Sequence, residues 1–256
     1  MKVLPQTFRL GTPQQLKNIL MDKLIIEGQI INHDNETYGQ VEINTTTGLI
    51  ERVGSNLGRP DIKTTGLIFP GFIDIHVHAR EDASGQQNYK EDYITASNAA
   101  INGGIVHFAD MPNKPIPPVD DRSYLALKKL SKKSLVDVTL YAGIGPGTSP
   151  LSFNAPYKVF MSKSVGNLFF NSNEKIEEAI GAYKEKNMSF HCEDPKILAD
   201  TANAFTHEER RPKVAEIKAI EFAIELIKKY KLKGKIVHVS TADGLQDILN
   251  ARKDGL

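Results

Sequence analysis

The sequence predicts an α/β chain of about six βα units, the pattern of an incomplete (β/α)8 TIM-type barrel, preceded by a small N-terminal β-rich domain. Three observations carry this reading. From Gly66 onward, short apolar runs alternate with amphipathic helical patterns. Before Gly66 there are only short β-rich runs separated by turn residues. Histidines, a lysine and other polar residues recur at or near the downstream ends of the apolar runs, where the strands of such a barrel carry their active site.

Residues 1–20 read as an N-terminal extension and 21–65 as a small β-domain, an incomplete β-sandwich. Leu24–Ile31, Gln40–Ile43 and Leu49–Gly54 are its strands, with the turn-forming stretches HDNETYG and NTTTG between them. Residues 66–256 read as the partial barrel. Its strand candidates are Phe72–Val77, Gly104–Ala109, Leu135–Tyr141, Tyr157–Met161, Met188–His191 and Lys235–Val239. A helix over Glu174–Lys186 sets Ile176, Ile180 and Tyr183 on one face, with Ser172 or Asn173 as its cap. A second helix, Lys213–Tyr230, does the same with Ile217, Ile220, Ile224 and Ile227. Strands alternating with such helices predict a parallel sheet.

Composition narrows the function. With 32 Lys+Arg against 31 Asp+Glu, the net charge of +1 gives no electrostatic basis for binding nucleic acid or an anionic membrane. The single cysteine, Cys192, cannot form an intrachain disulfide and suits a reducing cytosol. The first residues lack the apolar core of a secretory signal, and no apolar run approaches the ~18 residues needed to span a bilayer. The expectation is a cytoplasmic protein acting on a small-molecule substrate.

The polar residues at the run ends point to a metal. In a strand, residues two apart face one side, so His76 and His78 can present two imidazoles to one ion. His191 ends the fifth run, and His238 sits near the end of the sixth. Zinc favours histidine nitrogen, and a catalytic site keeps one position open for water. Four histidines could serve two zinc ions bridged by an anion, with the metals about 3.5–4 Å apart. Each residue alone has an ordinary explanation: H-x-H is a weak signal, and His191 or His238 singly suits a hydrogen-bonded core position. Lys158 is odder, because apolar strands seldom carry lysine. His33, His107 and His207 read as structural, Cys192 as packing, and the glycines at 143–147 as a tight turn without the Lys-Ser/Thr of a phosphate loop.

These motifs together resemble the dihydroorotase family of the amidohydrolase superfamily. Gly66 to His78 is similar to the family's approach to its first barrel strand, and Arg80-Glu81 extends it to H-x-H-x-R-E. Lys90-Glu91-Asp92, Asp110-Met-Pro-Asn113, Tyr157-Lys-Val-Phe-Met161 with Val165-Gly-Asn167, His191-Cys-Glu-Asp194 and His238-Val-Ser-Thr-Ala242 match its remaining motifs. The resemblance implies that His76 and His78 bind one zinc, His191 and His238 the other, and carboxylated Lys158 bridges both. It implies that Arg80 and Asn113 hold the substrate carboxylate, the guanidinium fork suiting a bidentate contact. Water then opens the ring amide of L-dihydroorotate to N-carbamoyl-L-aspartate, and the reverse reaction is the pyrimidine-biosynthetic step. Hydantoinases and allantoinases share the metal motifs, but their substrates generally lack the carboxylate that Arg80 would clamp.

One departure stands out. The family places an aspartate at the end of its eighth strand as metal ligand and proton shuttle, and the sequence ends in what reads as the helix after strand six. No catalytic acid is therefore assigned within the chain. Three readings stay open: a dihydroorotase lacking part of its barrel and inactive alone, an enzyme completed by a homo-oligomer or complementing chain, and a non-catalytic homologue.

Overall fold

The computed structural model describes residues 22–163 and 167–256. The expected extension at 1–20, and Val165 and Gly166 of the motif after Lys158, lie outside the described residues. The first strand, β1 (Lys23–Ile31), pairs antiparallel along its length with β2 (Glu36–Asn44), from Lys23 opposite Asn44 to Ile31 opposite Glu36. Four residues suffice for the connection, so β2 begins earlier than expected and takes in Thr37 and Tyr38. Strand β3 (Ile50–Gly54) adds antiparallel to β2, and β4 (Ile62–Ile68) adds parallel to β1, giving the order β3-β2-β1-β4. β4 has no counterpart in the sequence reading, because its Lys63, Thr64, Thr65 and Gly66 show no apolar alternation. Leu24, Ile25, Ile30 and Val41 are buried, and the buried Glu42 is neutralised by Arg52 at 2.6 Å.

From Phe72 the chain alternates as β5 (Phe72–Val77), α1 (Tyr93–Asn102), β6 (Ile105–Asp110), α2 (Asp121–Ser131), β7 (Asp137–Leu140), β8 (Ala142–Ile144), β9 (Tyr157–Phe160), α3 (Asn173–Ile180), β10 (Asn187–His191), α4 (Pro195–Asp200), α5 (His207–Arg210), α6 (Lys213–Tyr230), β11 (Lys233–Ile236) and α7 (Ala242–Lys253). The strands form two sheets, ordered β5-β6-β7 and β8-β9-β10-β11, and the second is parallel throughout. The expected third strand, Leu135–Tyr141, is thus two strands in different sheets. The change occurs at one residue: Tyr141 N donates to Asp110 O, and Ala142 N donates to Pro156 O.

The chain divides into two compact units. The described part of the first runs to Ile75 and includes Ile94–Phe108 and Lys133–Val138. The second comprises His76–Tyr93, Ala109–Lys132 and Thr139–Leu256. Every candidate site residue belongs to the second. There β9 is buried at all four positions, as expected for a parallel strand covered on both faces. Ser172 caps α3 as expected, and Ile176, Ile180 and Tyr183 are fully buried. The α-helix stops at Ile180, and Gly181–Tyr183 continues it as a 3-10 turn. Helix α6 has the expected bounds but a different buried face. Ala215, Ala219 and Ala223 are buried with Ile220, Leu226 and Ile227, whereas Ile217 and Ile224 are only half-buried. Small alanines let the helix lie close to its neighbours, which hydropathy alone does not reveal. Strand β11 sits two residues earlier than expected, so His238 lies beyond its end.

Candidate metal centre

His76 lies within β5, and His78 follows its last residue. Their ring centroids are 5.3 Å apart, as the two-residue strand period requires. The backbone then turns sharply at Arg80, whose φ is 54°, with Glu81 N donating to Ala79 O across it. A left-handed non-glycine residue costs about 1–3 kcal/mol and persists only where its surroundings impose it. Here Asp110 does so, its Oδ1 accepting from Ala79 N at 3.0 Å. The turn points Arg80 at Asn113: Arg80 Nη1 donates to Asn113 O at 3.2 Å, and Asn113 Oδ1 meets His78 Nδ1 at 2.8 Å. The two expected substrate residues thus touch one another, and one of them touches an expected metal ligand.

Asp110 anchors this corner. Its carboxylate is buried, accepts from Tyr93 OH at 2.7 Å, and pairs with the buried Lys114 at 2.9 Å. Glu81 Oε2 accepts from Tyr93 N at the start of α1, and Asp82 Oδ2 accepts from Ile116 N. Burial and the Asp110 carboxylate push the Tyr93 hydroxyl far above its ordinary pKa, so it remains a donor. Sequence reasoning missed Tyr93 and Lys114. Both look like ordinary loop-edge residues, and only the burial of Lys114 marks it.

Lys158 stands in the middle of β9, fully buried, its Nζ 5.2 Å from the Phe160 ring centroid. Among the described residues Nζ has no hydrogen-bond partner. Burial first, and then the Lys235 ammonium, outweigh an opposing effect of Cys192 and bring its pKa from 10.5 down to about 7. Much of this lysine is therefore a neutral amine at neutral pH. The facing residue on β8 is Gly143, where a Cβ would stand 2.3 Å from Leu168 Cδ1. The expected tight turn at 143–147 therefore begins inside a strand.

His191 ends β10 and His238 follows β11 at φ 41°, again left-handed. His191 Nδ1 and His238 Nε2 face each other at 2.9 Å, and the rings of His76 and His238 lie 5.4 Å apart. The four imidazoles therefore form one continuous group. Burial, then the Lys158 charge and the other rings, hold His76 down at about 3. Burial and Arg80 hold His78 at about 4, against the hydrogen bond that its Nδ1 donates to Asn113 Oδ1. Burial, His191 and Lys158 lower His238 as well. Neutral imidazole is the form that binds metals. His191 Nε2 is 2.8 Å from Glu193 Oε2, and Glu193 also pairs with Arg211. Burial alone would raise Glu193, but these two partners outweigh it and hold the carboxylate at about 2. Ser162 and Arg211 also line an open cavity of about 840 Å³ with Phe170, Leu198 and Arg210.

Among the described residues no three His, Cys, Asp or Glu side chains are arranged to hold a metal ion. Both nitrogens of His191 and Nε2 of His238 are occupied, His191 Nδ1 with His238 Nε2 and His191 Nε2 with Glu193. The donor set nevertheless fits a divalent cation. Four imidazoles adjoin, three of them kept neutral, near a buried lysine whose amine has no hydrogen-bond partner among the described residues. Cys192 is buried, with its thiol pushed up by burial, as a packing residue should be. His33 is exposed on a turn.

Residues 67–255 match the sequence profile of the amidohydrolase family. A dihydroorotase of Pyrococcus furiosus is 33% identical over 93% of this chain and 51% of its own length. An allantoinase of Bacillus licheniformis is 30% identical over 92% of this chain and 58% of its own length. The chain thus spans about half the length of the curated relatives it matches. The L-hydantoinase (dihydropyrimidinase) structure from Arthrobacter aurescens has a TM-score of 0.78 at 22% identity, covering 92% of this chain and 57% of that one, which shows a shared fold.

Proposed function

The chain belongs to the amidohydrolase family, and from that premise we propose that it carries a dihydroorotase site interconverting L-dihydroorotate and N-carbamoyl-L-aspartate. The observation that carries the reading is the contact of Arg80 with Asn113 beside His78. It supplies a carboxylate clamp at the edge of the imidazole group. In this reading 21–65 is a small β-domain and 66–256 a partial barrel of about six βα units. The two sheets are compatible with that architecture.

His76, His78, His191, His238 and a carboxylated Lys158 would hold two zinc ions. Metal bound there lowers the pKa of water and polarises the substrate carbonyl. The neutral Lys158 amine adds to carbon dioxide and loses a proton, and the resulting carbamate is an anionic ligand. Arg80 takes the substrate carboxylate in a two-point contact that sets the ring's orientation. Asn113 braces both the guanidinium and His78, so substrate position and ligand position are coupled. The left-handed turn at Arg80 is stored strain at a functional position.

A hydantoinase- or allantoinase-like activity is the second reading, supported by the allantoinase relative. Its substrates make no demand on Arg80. The test is turnover by the purified chain, supplied with zinc and bicarbonate, of L-dihydroorotate against hydantoin and allantoin, with His78→Ala as control. Ring opening of dihydroorotate that disappears in His78→Ala is expected. Hydrolysis of hydantoin or allantoin alone supports the second reading. No turnover of any of them refutes catalysis by this chain alone and leaves a complementing chain or a non-catalytic role.

A further inference from the structure

We propose that Glu193 is a positioning residue for His191, fixing the tautomer that offers Nδ1 to the metal centre, and that Arg211 holds Glu193 for this task. The inference rests on the reading of His191 as a metal ligand. The two nitrogens of His191 face different partners: Nε2 meets Glu193 Oε2 at 2.8 Å, and Nδ1 meets His238 Nε2 at 2.9 Å. A carboxylate only accepts, so the imidazole proton sits on Nε2 and Nδ1 keeps its lone pair. His238 Nε2–H then donates to that lone pair until a cation takes its place. Metal-ligating histidines commonly donate their second N–H to a carboxylate in this way, which fixes the ring and strengthens the ligand.

The carboxylate is itself held firmly. Glu193 lies in the loop just past the strand end, and the His191 Nε2–Glu193 Oε2 contact itself brings the two side chains to one side. The next residue, Asp194, caps α4 through Ile197 N at 2.9 Å, and its N–H donates to Ala215 O of α6. Arg211 directly precedes Pro212, the N-cap of α6, and its Nη1 reaches the same Glu193 oxygen that His191 uses. Both His191 and Glu193 are largely buried, at 19% and 17% side-chain exposure, so water competes weakly for either bond. A mere loop staple would need Arg211 and Glu193 but would not require the histidine nitrogen to point at them.

The test uses the full chain, metal-free and 15N-labelled at histidine, with His191 assigned by its loss in His191→Asn. Long-range proton–nitrogen spectra should show His191 protonated at Nε2, and Glu193→Ala should turn it into a tautomer mixture. Zinc titrations against a chromogenic chelator should show affinity falling about 10–100-fold in Glu193→Gln, with unchanged circular dichroism. Arg211→Ala should show a smaller loss. Protonation at Nδ1 in the unsubstituted chain overturns the proposal whatever the metal does. Zinc binding that falls in His191→Asn but not in either Glu193 variant overturns it while leaving the metal centre standing. No zinc binding by the unsubstituted chain overturns both.

Discussion

Replacing Lys158 by methionine should stabilise the metal-free chain at neutral pH. Its Nζ is fully buried and unsatisfied among the described residues. Because the folded-state pKa is about 7 against an ordinary 10.5, the unfolded chain binds more protons between those values. The wild-type stability linked to this group therefore rises as pH climbs from 7 to 10.5. Each unit is worth about 1.4 kcal/mol, so the native state is disfavoured by several kcal/mol at pH 7, and an unsatisfied buried amine adds about 1–3 kcal/mol. Methionine has a similar length and no charge. Allowing about 1 kcal/mol for imperfect packing, Lys158→Met should gain about 4–7 kcal/mol at pH 7. Urea titrations of EDTA-treated proteins at pH 7 and about pH 9.5 measure the gain, which should shrink at the higher pH. A variant less stable than wild type at pH 7, or a gain that is the same at both values, would refute the reasoning.

Acid should destabilise the metal-free chain over a defined window. With His76 near 3 and His78 near 4 in the fold against an ordinary 6.5, stability falls as pH drops from 6.5 toward those values, and His76→Gln or His78→Gln should flatten the slope in urea titrations. Asp110→Asn can keep the Oδ1 acceptor for Ala79 N, but it puts an NH2 group where Oδ2 accepts from Tyr93 OH and strands the buried Lys114 charge. It should cost about 3–5 kcal/mol, and the double variant with Lys114→Met should recover most of it, both read from urea midpoints. Arg80→Gly relieves the left-handed residue, so stability should hold or rise by about 1 kcal/mol. Calorimetry should nonetheless show affinity for dihydroorotate falling at least about 10-fold, in line with the loss of a charged hydrogen-bond pair.

The parts of the site that were legible in the sequence are those where residue type conflicts with a strong local pattern. His76 and His78 break an apolar strand at period two, and Lys158 interrupts a run that is otherwise wholly apolar. The supporting charges were not legible. Glu193, Arg211 and Lys114 lie in polar loops, where a buried ion pair and a solvated one have the same sequence. The same limit explains the errors in the fold. Nothing in Leu140, Tyr141 and Ala142 marks a change of sheet, since that depends on which neighbour takes each backbone N–H. The alanine face of α6 was invisible because alanine contributes little hydropathy. The lysines of β11 concealed its true start, which moved His238 out of the strand and into a strained turn.

Metal stoichiometry tests the central claim most directly. The purified chain, loaded with zinc in bicarbonate and desalted, should retain about two zinc ions per chain, as a two-metal site requires. Retention should fall in Lys158→Met, in His76→Ala and in His238→Ala, and 13C-bicarbonate should give a carbamate resonance that Lys158→Met lacks. Zinc retained equally by all of these variants would contradict the account, because the ions would then be held somewhere else.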